Sequence, residues 1–435
     1  MIAPKLLFFC IGAIIFCMGD SFSRSGTESW NLTRIQTLPN MCVHISSIVG
    51  SFILSGIADK SGRYRSILVA CIIGYVLLVF GIGTPLPISQ DAREIWFLIL
   101  LCIQGILLAG LYPIANALVL NKLASKSKNY YGRQRMFAPL GQLTVALFFG
   151  VLSKILGRQS FDLVVHFLVL VFFSALFLGA LSHIETEAKD SGMRGQGVGN
   201  PENVEKSYSL YNESSFYAHD FKQPVSIEKD EPVFRKLFTE PKFLVLFLGL
   251  LIAGANCSYL NITWRLVFGY LNVNNFEGYM DKGAVYISCI AEASIYCFDE
   301  NITQILGNNL MMALGHGLLI LRALGFVFLT PKNIKMKTFI FNSISGFPNG
   351  LISLSAVHIA SELASGATAQ SIFDITLNGL ATFIAYNIYE ITFDCLGQIA
   401  TVYLTMSILG AIIIIPIVFL DKIFPRKSSQ KTSSV

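Results

Sequence analysis

The sequence predicts an all-α, multi-pass membrane protein whose twelve transmembrane helices form two six-helix bundles. Three observations lead to this fold class. Of the 435 residues, 53% are hydrophobic and only 14% are charged, which is more apolar surface than a soluble core of this length buries. The apolar residues fall into twelve runs, most of them near the roughly 20 residues that cross a bilayer as a helix. One polar stretch, residues 184–236, divides those runs six and six.

The twelve runs are predicted in order along the chain. In the first half they cover residues 3–22, 38–58, 66–86, 95–117, 134–157 and 161–183. In the second half they cover residues 242–266, 283–298, 306–329, 337–360, 369–392 and 397–420. The eighth run gives the weakest signal, because it is short and contains Glu292.

The polar stretch between the sixth and seventh runs is rich in Gly, Ser, Glu, Lys and Asn, so we expect a largely disordered cytoplasmic linker. The predicted organisation is an N-terminal six-helix bundle at residues 1–183, the linker at 184–236, a C-terminal six-helix bundle at 237–421 and a cytoplasmic tail at 422–435. The composition of the linker cannot bury enough apolar surface to offset the entropy of ordering it.

The distribution of basic residues predicts that both termini are cytoplasmic. With this orientation the inside segments hold roughly twice as many Lys and Arg residues as the outside segments. Outside the linker, the inside residues are Lys60, Arg63, Arg65, Lys122, Lys126, Lys128, Arg133, Lys422, Arg426, Lys427 and Lys431. The cluster Lys332, Lys335 and Lys337 is an exception on the outside. We expect the plasma membrane as the location and leave an organelle membrane open.

Several classes of function lack their sequence signals. The chain has no Gly-x-x-x-x-Gly-Lys-(Ser/Thr) loop and no His-Glu-x-x-His motif, and no set of nucleophile and base residues can be assembled, so we predict no enzyme. The net charge of +5 reflects the excess of Lys and Arg in the inside segments. The basic residues form no patch with interleaved aromatic residues, so we expect no nucleic-acid partner. The nine cysteines have no metal-binding spacing. We therefore predict neither a metal nor a cofactor, and the lipid bilayer as a partner.

A short charged loop lies between the second and third runs and reads Gly56-Ile57-Ala58-Asp59-Lys60-Ser61-Gly62-Arg63-Tyr64-Arg65. Gly56 is expected to permit close helix approach, and Gly62 to adopt a positive φ. Asp59 lies at the predicted helix end, and Arg63 and Arg65 follow at the membrane surface.

This loop resembles the loop between helices 2 and 3 in the major facilitator superfamily of transporters. The resemblance implies the major facilitator fold and transport by alternating access, in which two six-helix halves rock about a central site. It also implies that Asp59 and Arg63 belong to a cytoplasmic charge network that closes the outward-facing state. Gly56, Gly62 and Arg65 would complete this gate.

A second run narrows the resemblance to the lactose-permease-like branch of oligosaccharide and nucleoside proton symporters. Residues 130–142 read Tyr-Tyr-Gly-Arg-Gln-Arg-Met-Phe-Ala-Pro-Leu-Gly-Gln, similar to the start of helix 5 in that branch. The resemblance implies that Arg135 contacts substrate. The Trp of that branch is replaced by Gln142, and its Glu in helix 4 corresponds to about Ala117. The loss of both residues argues against a galactoside as the substrate. Asn116 and Gln142 are candidates to hydrogen-bond another polar solute.

In the second half, Glu292 in helix 8 and Arg322 in helix 9 are similar to a Glu and an Arg of the same branch, where they act in substrate binding and proton coupling. An intramembrane charge is costly unless it is paired or hydrated, so we expect the two side chains to face one cavity. They form either a structural ion pair or part of the transport site. Helix 10 departs from the branch, because Ser345-Gly346-Phe347-Pro348 replaces its His and Glu.

Other polar residues in the apolar runs have a structural interpretation. Asp374 and Glu390 lie near opposite ends of helix 11, where hydration at the membrane interface accounts for their charge. A proton site at Glu292, Asp374 or Glu390 is the alternative. Three histidines are interpreted as hydrogen-bonded packing residues: His44, His316 and His358. Four glycines are predicted to permit close helix contacts in helices 4 and 10: Gly105, Gly110, Gly346 and Gly350.

The sequence thus predicts a secondary transporter of a small polar solute, such as a sugar or a nucleoside, with proton coupling left open. The substrate-binding candidates are Arg135, Gln142, Asn116, Glu292 and Arg322. The alternative is a transporter-like membrane sensor or interaction protein without flux. The absence of Lys and Arg from the predicted helix 8–9 loop, residues 299–309, keeps this alternative open.

Overall fold

The protein is helical throughout the part that the computed structural model describes. That part comprises residues 2–29, 37–83, 90–123, 131–155, 162–196, 240–270, 280–328, 334–363, 366–393 and 396–423. No β-strand occurs in these residues. The predicted all-α fold is confirmed.

Twelve helices in the described residues correspond, in order, to the twelve predicted runs. In the first half, α1 is Ile2–Ser29, α2 is Thr37–Ser61, α3 is Tyr64–Gly83, α4 is Gln90–Ala109 with Leu111–Leu123, α5 is Tyr131–Arg135 with Phe137–Ile155, and α6 is Asp162–Gln196. In the second half, α7 is Pro241–Tyr270, α8 is Met280–Cys297 with residues 299–306, α9 is residues 308–327, α10 is Ile334–Ile344 with Gly346–Leu363, α11 is Ala367–Asp374 with Ile375–Leu380 and Ala381–Phe393, and α12 is Leu396–Val418 with Leu420–Ile423.

The helices have the length and surface of membrane spans. Among the described residues, seven helices are long and apolar enough to cross a membrane by length and composition, and three shorter apolar stretches belong to α1, α3 and α8. Large apolar side chains are exposed on the outside of the bundle, including Leu77 at 65% and Ile412 at 60%. An exposed apolar surface of this kind is stable in lipid, where the helical backbone satisfies its own hydrogen bonds.

The two halves repeat one packing pattern. In the first half, α1 packs against α5 and α6, α2 against α4, and α3 against α6. The second half repeats these pairs as α7 against α11 and α12, α8 against α10, and α9 against α12. The halves meet where α2 and α4 contact α11, and where α5 contacts α8.

The predicted glycine contacts occur in both halves. A Cβ on Gly105 of α4 would lie 2.6 Å from the carbonyl oxygen of Val43 on α2. A Cβ on Gly350 of α10 would lie 2.9 Å from Cβ of Ile295 on α8. Gly110 and Gly346 are similarly enclosed, so all four glycines permit close helix contacts. The same expectation was wrong for Gly56, where an added Cβ would meet nothing within 4 Å.

Two boundaries differ from the sequence prediction. The predicted loop at residues 299–309 is largely helical and extends α8, and it breaks at Gly307, where φ is 70° and ψ is 166°. The eighth span is therefore longer than predicted. The turn between α8 and α9 takes up only Gly307, a residue type that tolerates a positive φ, so the residues before it remain helical. Helix α6 continues beyond residue 183 to Gln196 through a segment that contains helix-forming Ala, Glu and Lys residues. The rest of the predicted linker lies outside the described residues.

Candidate functional site

A cavity of about 270 Å³ lies between the two halves. Its volume is at the small end of the range of about 300–1,000 Å³ that is usual for ligand sites. Its walls come from α4 and α5 of the first half and from α7 to α11 of the second. The lining residues are Tyr112, Arg135, Gln142, Ala253, Gly254, Cys257, Ser258, Asn261, Glu292, Leu319, Asn349, Ile352, Ser353, Asp374, Leu377 and Asn378.

Arg135 is the one cationic side chain among these lining residues. Its Nη1 donates a hydrogen bond of 2.9 Å to the hydroxyl of Tyr131, and this hydroxyl donates one of 2.7 Å to Oδ1 of Asn116. The guanidinium lies over the rings of Tyr112 and Tyr296, at 5.5 Å from each centroid. Cation–π contacts of this kind stabilise a desolvated guanidinium by about 2 kcal/mol or more.

Two carboxylates face the same cavity. Glu292 on α8 accepts a hydrogen bond of 3.1 Å from the hydroxyl of Tyr296. Asp374 on α11 accepts one of 2.9 Å from the side-chain amide of Asn378. Of the two acidic residues of α11, Asp374 lines the cavity, whereas Glu390 is exposed and does not line it.

A π-helical turn at Ile375–Leu380 begins directly after Asp374. A π-helical turn inserts an extra residue into the helix, and such turns are frequent at functional sites. Here the turn carries Leu377 and Asn378 of the cavity wall. Asn378 donates its hydrogen bond to Asp374, and both residues line the cavity.

Arg322 of α9 lies one layer behind the cavity and does not pair with Glu292. Its Nη2 donates hydrogen bonds to the side-chain oxygens of Asn261 at 2.8 Å and of Asn342 at 2.9 Å. Its Nη1 lies 4.0 Å from the sulfur of Cys257. The side chain is only 1% exposed, and its Nε has no hydrogen-bond partner. Because Asn261 and Cys257 line the cavity, Arg322 positions the wall rather than contacting its interior.

Asp59 joins the first half to the second at one end of the bundle. Its carboxylate accepts the backbone N–H groups of Ala367 at 2.8 Å and Thr368 at 2.7 Å, in the first turn of α11, and also the hydroxyl of Thr368. Tyr64 donates a further hydrogen bond of 2.8 Å. A carboxylate at a helix N-terminus satisfies orphan N–H groups and interacts favourably with the helix dipole. We call this contact the first latch.

The rest of the charged loop is arranged around Asp59. Gly62 has a φ of 64°, as predicted, which ends α2 and starts α3 two residues later. Arg63 is exposed and makes none of the hydrogen bonds to Asp59. The partners of Asp59 are therefore two backbone N–H groups of α11 and the hydroxyl groups of Thr368 and Tyr64. This differs from the charge network with Arg63 that the resemblance implied.

Asp299 makes the corresponding contact from the second half to the first, and we call this contact the second latch. It lies on α8 of the second half, and its Oδ2 accepts the backbone N–H of Gly132 in the first turn of α5, at 3.0 Å. Its Oδ1 accepts the hydroxyl of Thr303 and lies 3.0 Å from Nε2 of His358 on α10. Asp299 is 1% exposed. An exposed ion pair, Arg133–Glu300 at 3.4 Å, flanks it.

Both latches lie at the same end of the bundle, which we call the latch end. Between this end and the cavity, a cluster of buried apolar side chains unites the two halves. Its members include Ile114, Ala115 and Tyr131 from the first half and Tyr296, Leu354, Val357 and Ala367 from the second. The cavity is therefore closed towards the latch end.

The structure brings together part of the predicted site. Arg135, Gln142 and Glu292 line the cavity, whereas Asn116 and Arg322 lie behind its wall. Asn116 accepts a hydrogen bond from Tyr131, which in turn binds Arg135, and Arg322 donates one to Asn261. The sequence reasoning missed Asp374 as a cavity residue, and it missed the amides of Asn261, Asn349 and Asn378. One signal was available for the first of these: Asp374 and Asn378 are one helical turn apart on an otherwise apolar run.

Comparison with known proteins identifies the family. A model described as the MFS_1 like family matches residues 28–403. This chain belongs to that family. It is an integral, multi-pass membrane protein of the major facilitator superfamily, as the two loop motifs predicted. The comparison with curated proteins gave no match.

Solved structures with the same fold include the nucleoside transporter NupG, with a TM-score of 0.59 and 13% identity over 96% of this chain and 99% of that chain. A point mutant of NupG has a TM-score of 0.57 and 14% identity over 95% and 98% of the two chains. Such low identity shows a shared fold alone. Both are described as transporters, and neither as an enzyme.

Proposed function

We propose that this major facilitator protein is a secondary transporter that moves a small polar solute across the membrane by alternating access. The observation that carries the proposal is the charged cavity between the halves, enclosed at one end by two latches that each join one half to the other. A latch made of hydrogen bonds between halves can break and re-form, and a packed interface with two arrangements is what alternating access requires.

The latch end is proposed to be the cytoplasmic end, because the basic residues around the first and second latches follow the positive-inside pattern. With the latches formed and the cavity closed towards that end, the molecule then represents a state closed to the cytoplasm. Opening requires Asp59 and Asp299 to release α11 and α5. Their carboxylates then exchange backbone N–H donors for water, at about 1 kcal/mol for each hydrogen bond, and the apolar cluster that unites the halves must separate as well.

The chemistry of the cavity supports a polar solute. Three charged groups, four side-chain amides and two serine hydroxyls line a small volume, and polar groups in such a site orient the ligand and give specificity. The described neighbours NupG and its mutant are nucleoside transporters, which makes nucleosides the first compounds to test, followed by sugars. Proton coupling, if present, requires a carboxylate in the cavity, and Glu292 and Asp374 are the lining residues of that type.

The test combines flux with a lock on the first latch. The purified full-length protein is placed in liposomes, and uptake of radiolabelled uridine, adenosine and a panel of sugars is measured. In the variant Asp59→Cys with Thr368→Cys, oxidation should cross-link the halves and abolish uptake, and a reductant should restore it. Each single cysteine variant is the matched control and should be insensitive to the oxidant. Uptake that persists through a formed cross-link would contradict alternating access.

The sensor without flux remains the second candidate, favoured by one observation: Ser345-Gly346-Phe347-Pro348 occupies the segment of α10 where the resembled branch carries its proton-coupling residues. In that case a solute should raise the melting temperature of the purified protein, because a ligand that binds only the folded state stabilises it. No compound that stabilises the protein would then be transported. Transport of any stabilising compound excludes the sensor.

A further inference from the structure

The cavity has unused capacity to accept hydrogen bonds from a cation. An ionised carboxylate accepts about four hydrogen bonds. Glu292 receives one from Tyr296, and Asp374 receives one from Asn378. Among the residues that the structure describes, no ion pair within 4.0 Å joins either carboxylate to Arg135, although the charge of this one cation acts on both carboxylates across the cavity. The guanidinium of Arg135 is instead occupied by the hydroxyl of Tyr131 and by the two tyrosine rings that it lies over.

The wall of the cavity also offers donors. The side-chain oxygen of Asn261 is taken by Arg322, and that of Asn349 accepts the thiol of Cys257 at 3.2 Å. Each oxygen already has one partner, and the NH₂ groups of these amides can donate to a further one. The NH₂ group of Asn261 has only a weak contact of 3.7 Å with the sulfur of Cys257. The wall of the cavity therefore combines charged acceptors on α8 and α11 with neutral donors on α7 and α10.

We propose that the transported solute is a small organic cation that carries one ammonium group and at least one oxygen acceptor. Glu292 and Asp374 bind the ammonium group, and the amides of Asn261 and Asn349 donate to the oxygen. The carbon skeleton packs against Leu319, Ile352 and Leu377, which supply the apolar part of the wall. Amino sugars and amino-substituted nucleosides belong to this chemical class. The inference rests on the proposed transport function and specifies its substrate.

The physical reason lies in desolvation. A carboxylate removed from water is strongly destabilised unless a charge of opposite sign and several hydrogen bonds compensate it. An ammonium group has three donors and one positive charge, so one such group satisfies acceptors of both Glu292 and Asp374. Charge-assisted hydrogen bonds are roughly twice as strong as neutral ones. A neutral solute would leave one carboxylate uncompensated, or would require a proton on it.

The experiment uses two pairs of solutes that differ in a single amine: D-glucosamine with D-glucose, and 5′-amino-5′-deoxyadenosine with adenosine. Binding to the purified full-length protein is measured at pH 6.5 by calorimetry and by thermal stabilisation. The charged member of at least one pair should bind tenfold or more tightly than the neutral member. Asp374→Asn and Glu292→Gln should each weaken binding of the charged member and so remove this preference. Glu390→Gln, on the same helix but outside the cavity, is the matched control and should retain the preference.

The outcomes separate this inference from the proposed function. Equal binding of both members, binding of neither pair, or a preference that survives Asp374→Asn would overturn the inference. Uptake of neutral solutes in which Asp374→Asn abolishes only accumulation driven by a pH gradient would also overturn it, because Asp374 would then hold a proton. Transport itself would stand in that case. A charge preference in binding without any flux would keep the cation as the bound ligand and contradict the transporter.

Discussion

Asp59 and Asp299 hold corresponding positions in the two halves of the protein, and each binds the N-terminus of a helix from the other half. Asp59 on α2 accepts N–H groups of α11, and Asp299 on α8 accepts an N–H group of α5. The repeat of the fold relates α2 to α8 and α5 to α11. The two latches are therefore equivalent in topology although their surrounding sequences differ.

The first prediction concerns the first latch. Asp59→Asn removes the charge and one of the two oxygens that cap α11, which should cost the closed state about 1 kcal/mol and change the ratio of the two states roughly fivefold. Because Asp59 does not line the cavity, transport turnover should fall more than solute affinity. Initial uptake rates and binding constants measure the two effects.

The control for Asp59 is Arg63→Gln, which changes an exposed side chain of the same loop. It should leave turnover within about twofold of the wild type, since surface substitutions usually cost under about 0.5 kcal/mol. Unchanged turnover with lost binding in Asp59→Asn would contradict the assigned role in gating.

The second prediction concerns the buried pair of the second latch. Asp299 is almost completely buried and His358 lies 3.0 Å from it, so Asp299→Asn or His358→Gln should each lower the stability of the folded protein by about 1–3 kcal/mol. The double variant should cost less than the sum, because residues in direct contact couple. Thermal unfolding in detergent measures all three. Strict additivity would show that the two residues do not interact. The control is Glu362→Gln, which changes an exposed residue on α10, the helix of His358.

The third prediction uses sterics alone. A Cβ on Gly132 would come within 2.7 Å of Cγ of Asp299, so Gly132→Ala should push the carboxylate away from α5 without changing any charge. Because this weakens the second latch, a cysteine engineered into the latch interface should react faster with a thiol reagent in Gly132→Ala than in the wild-type background. Gly179→Ala is the control, because an added Cβ there would meet nothing within 4 Å. Normal labelling of an engineered cysteine in the latch interface would contradict this account of Gly132.

The fourth prediction separates Glu292 from Arg322. Since Arg322 is held by Asn261 and Asn342, Glu292→Gln does not strand its charge, and the effects of Glu292→Gln and Arg322→Gln on the melting temperature should add. Arg322→Gln should be the more destabilising of the two, because it removes two charge-assisted hydrogen bonds that the buried guanidinium donates to Asn261 and Asn342. A double variant more stable than either single variant would restore the direct ion pair that the sequence suggested.

The fifth prediction is the topology. Tags inserted at residue 200 and at the C-terminus should both be cytoplasmic, because the density of Lys and Arg sets the orientation of the spans. Protease treatment of intact cells should leave both tags uncut, and treatment after permeabilisation should cleave them. Cleavage of either tag in intact cells would reverse the assignment of the latch end.

Local composition was sufficient for much of the fold. Most spans are apolar runs near the length that crosses a bilayer, so the number and order of the helices could be predicted without knowledge of their packing. The positive φ of Gly62 could also be predicted, as it depends on the backbone of a single residue. The close contacts at Gly105 and Gly346 follow from the small size of glycine in a helix between neighbours.

The site depended on contacts that no local pattern contains. Glu292 and Arg322 lie on adjacent helices, yet their rotation about the helix axes directs one to the cavity and the other to two asparagines behind it. Asp374 faces the cavity beside a π-helical turn, Ile375–Leu380, which could not be predicted from the residue types of that segment.

The sequence by itself determined that this protein is a twelve-helix membrane protein of the major facilitator superfamily, with Asp59 at a helix end and Arg135 at a candidate site. Only the tertiary structure decided which charges share a cavity and that Asp299 repeats the contact of Asp59. The reason is physical: burial in lipid depends on the composition of one segment, whereas the partner of a buried charge depends on which faces of distant helices pack together.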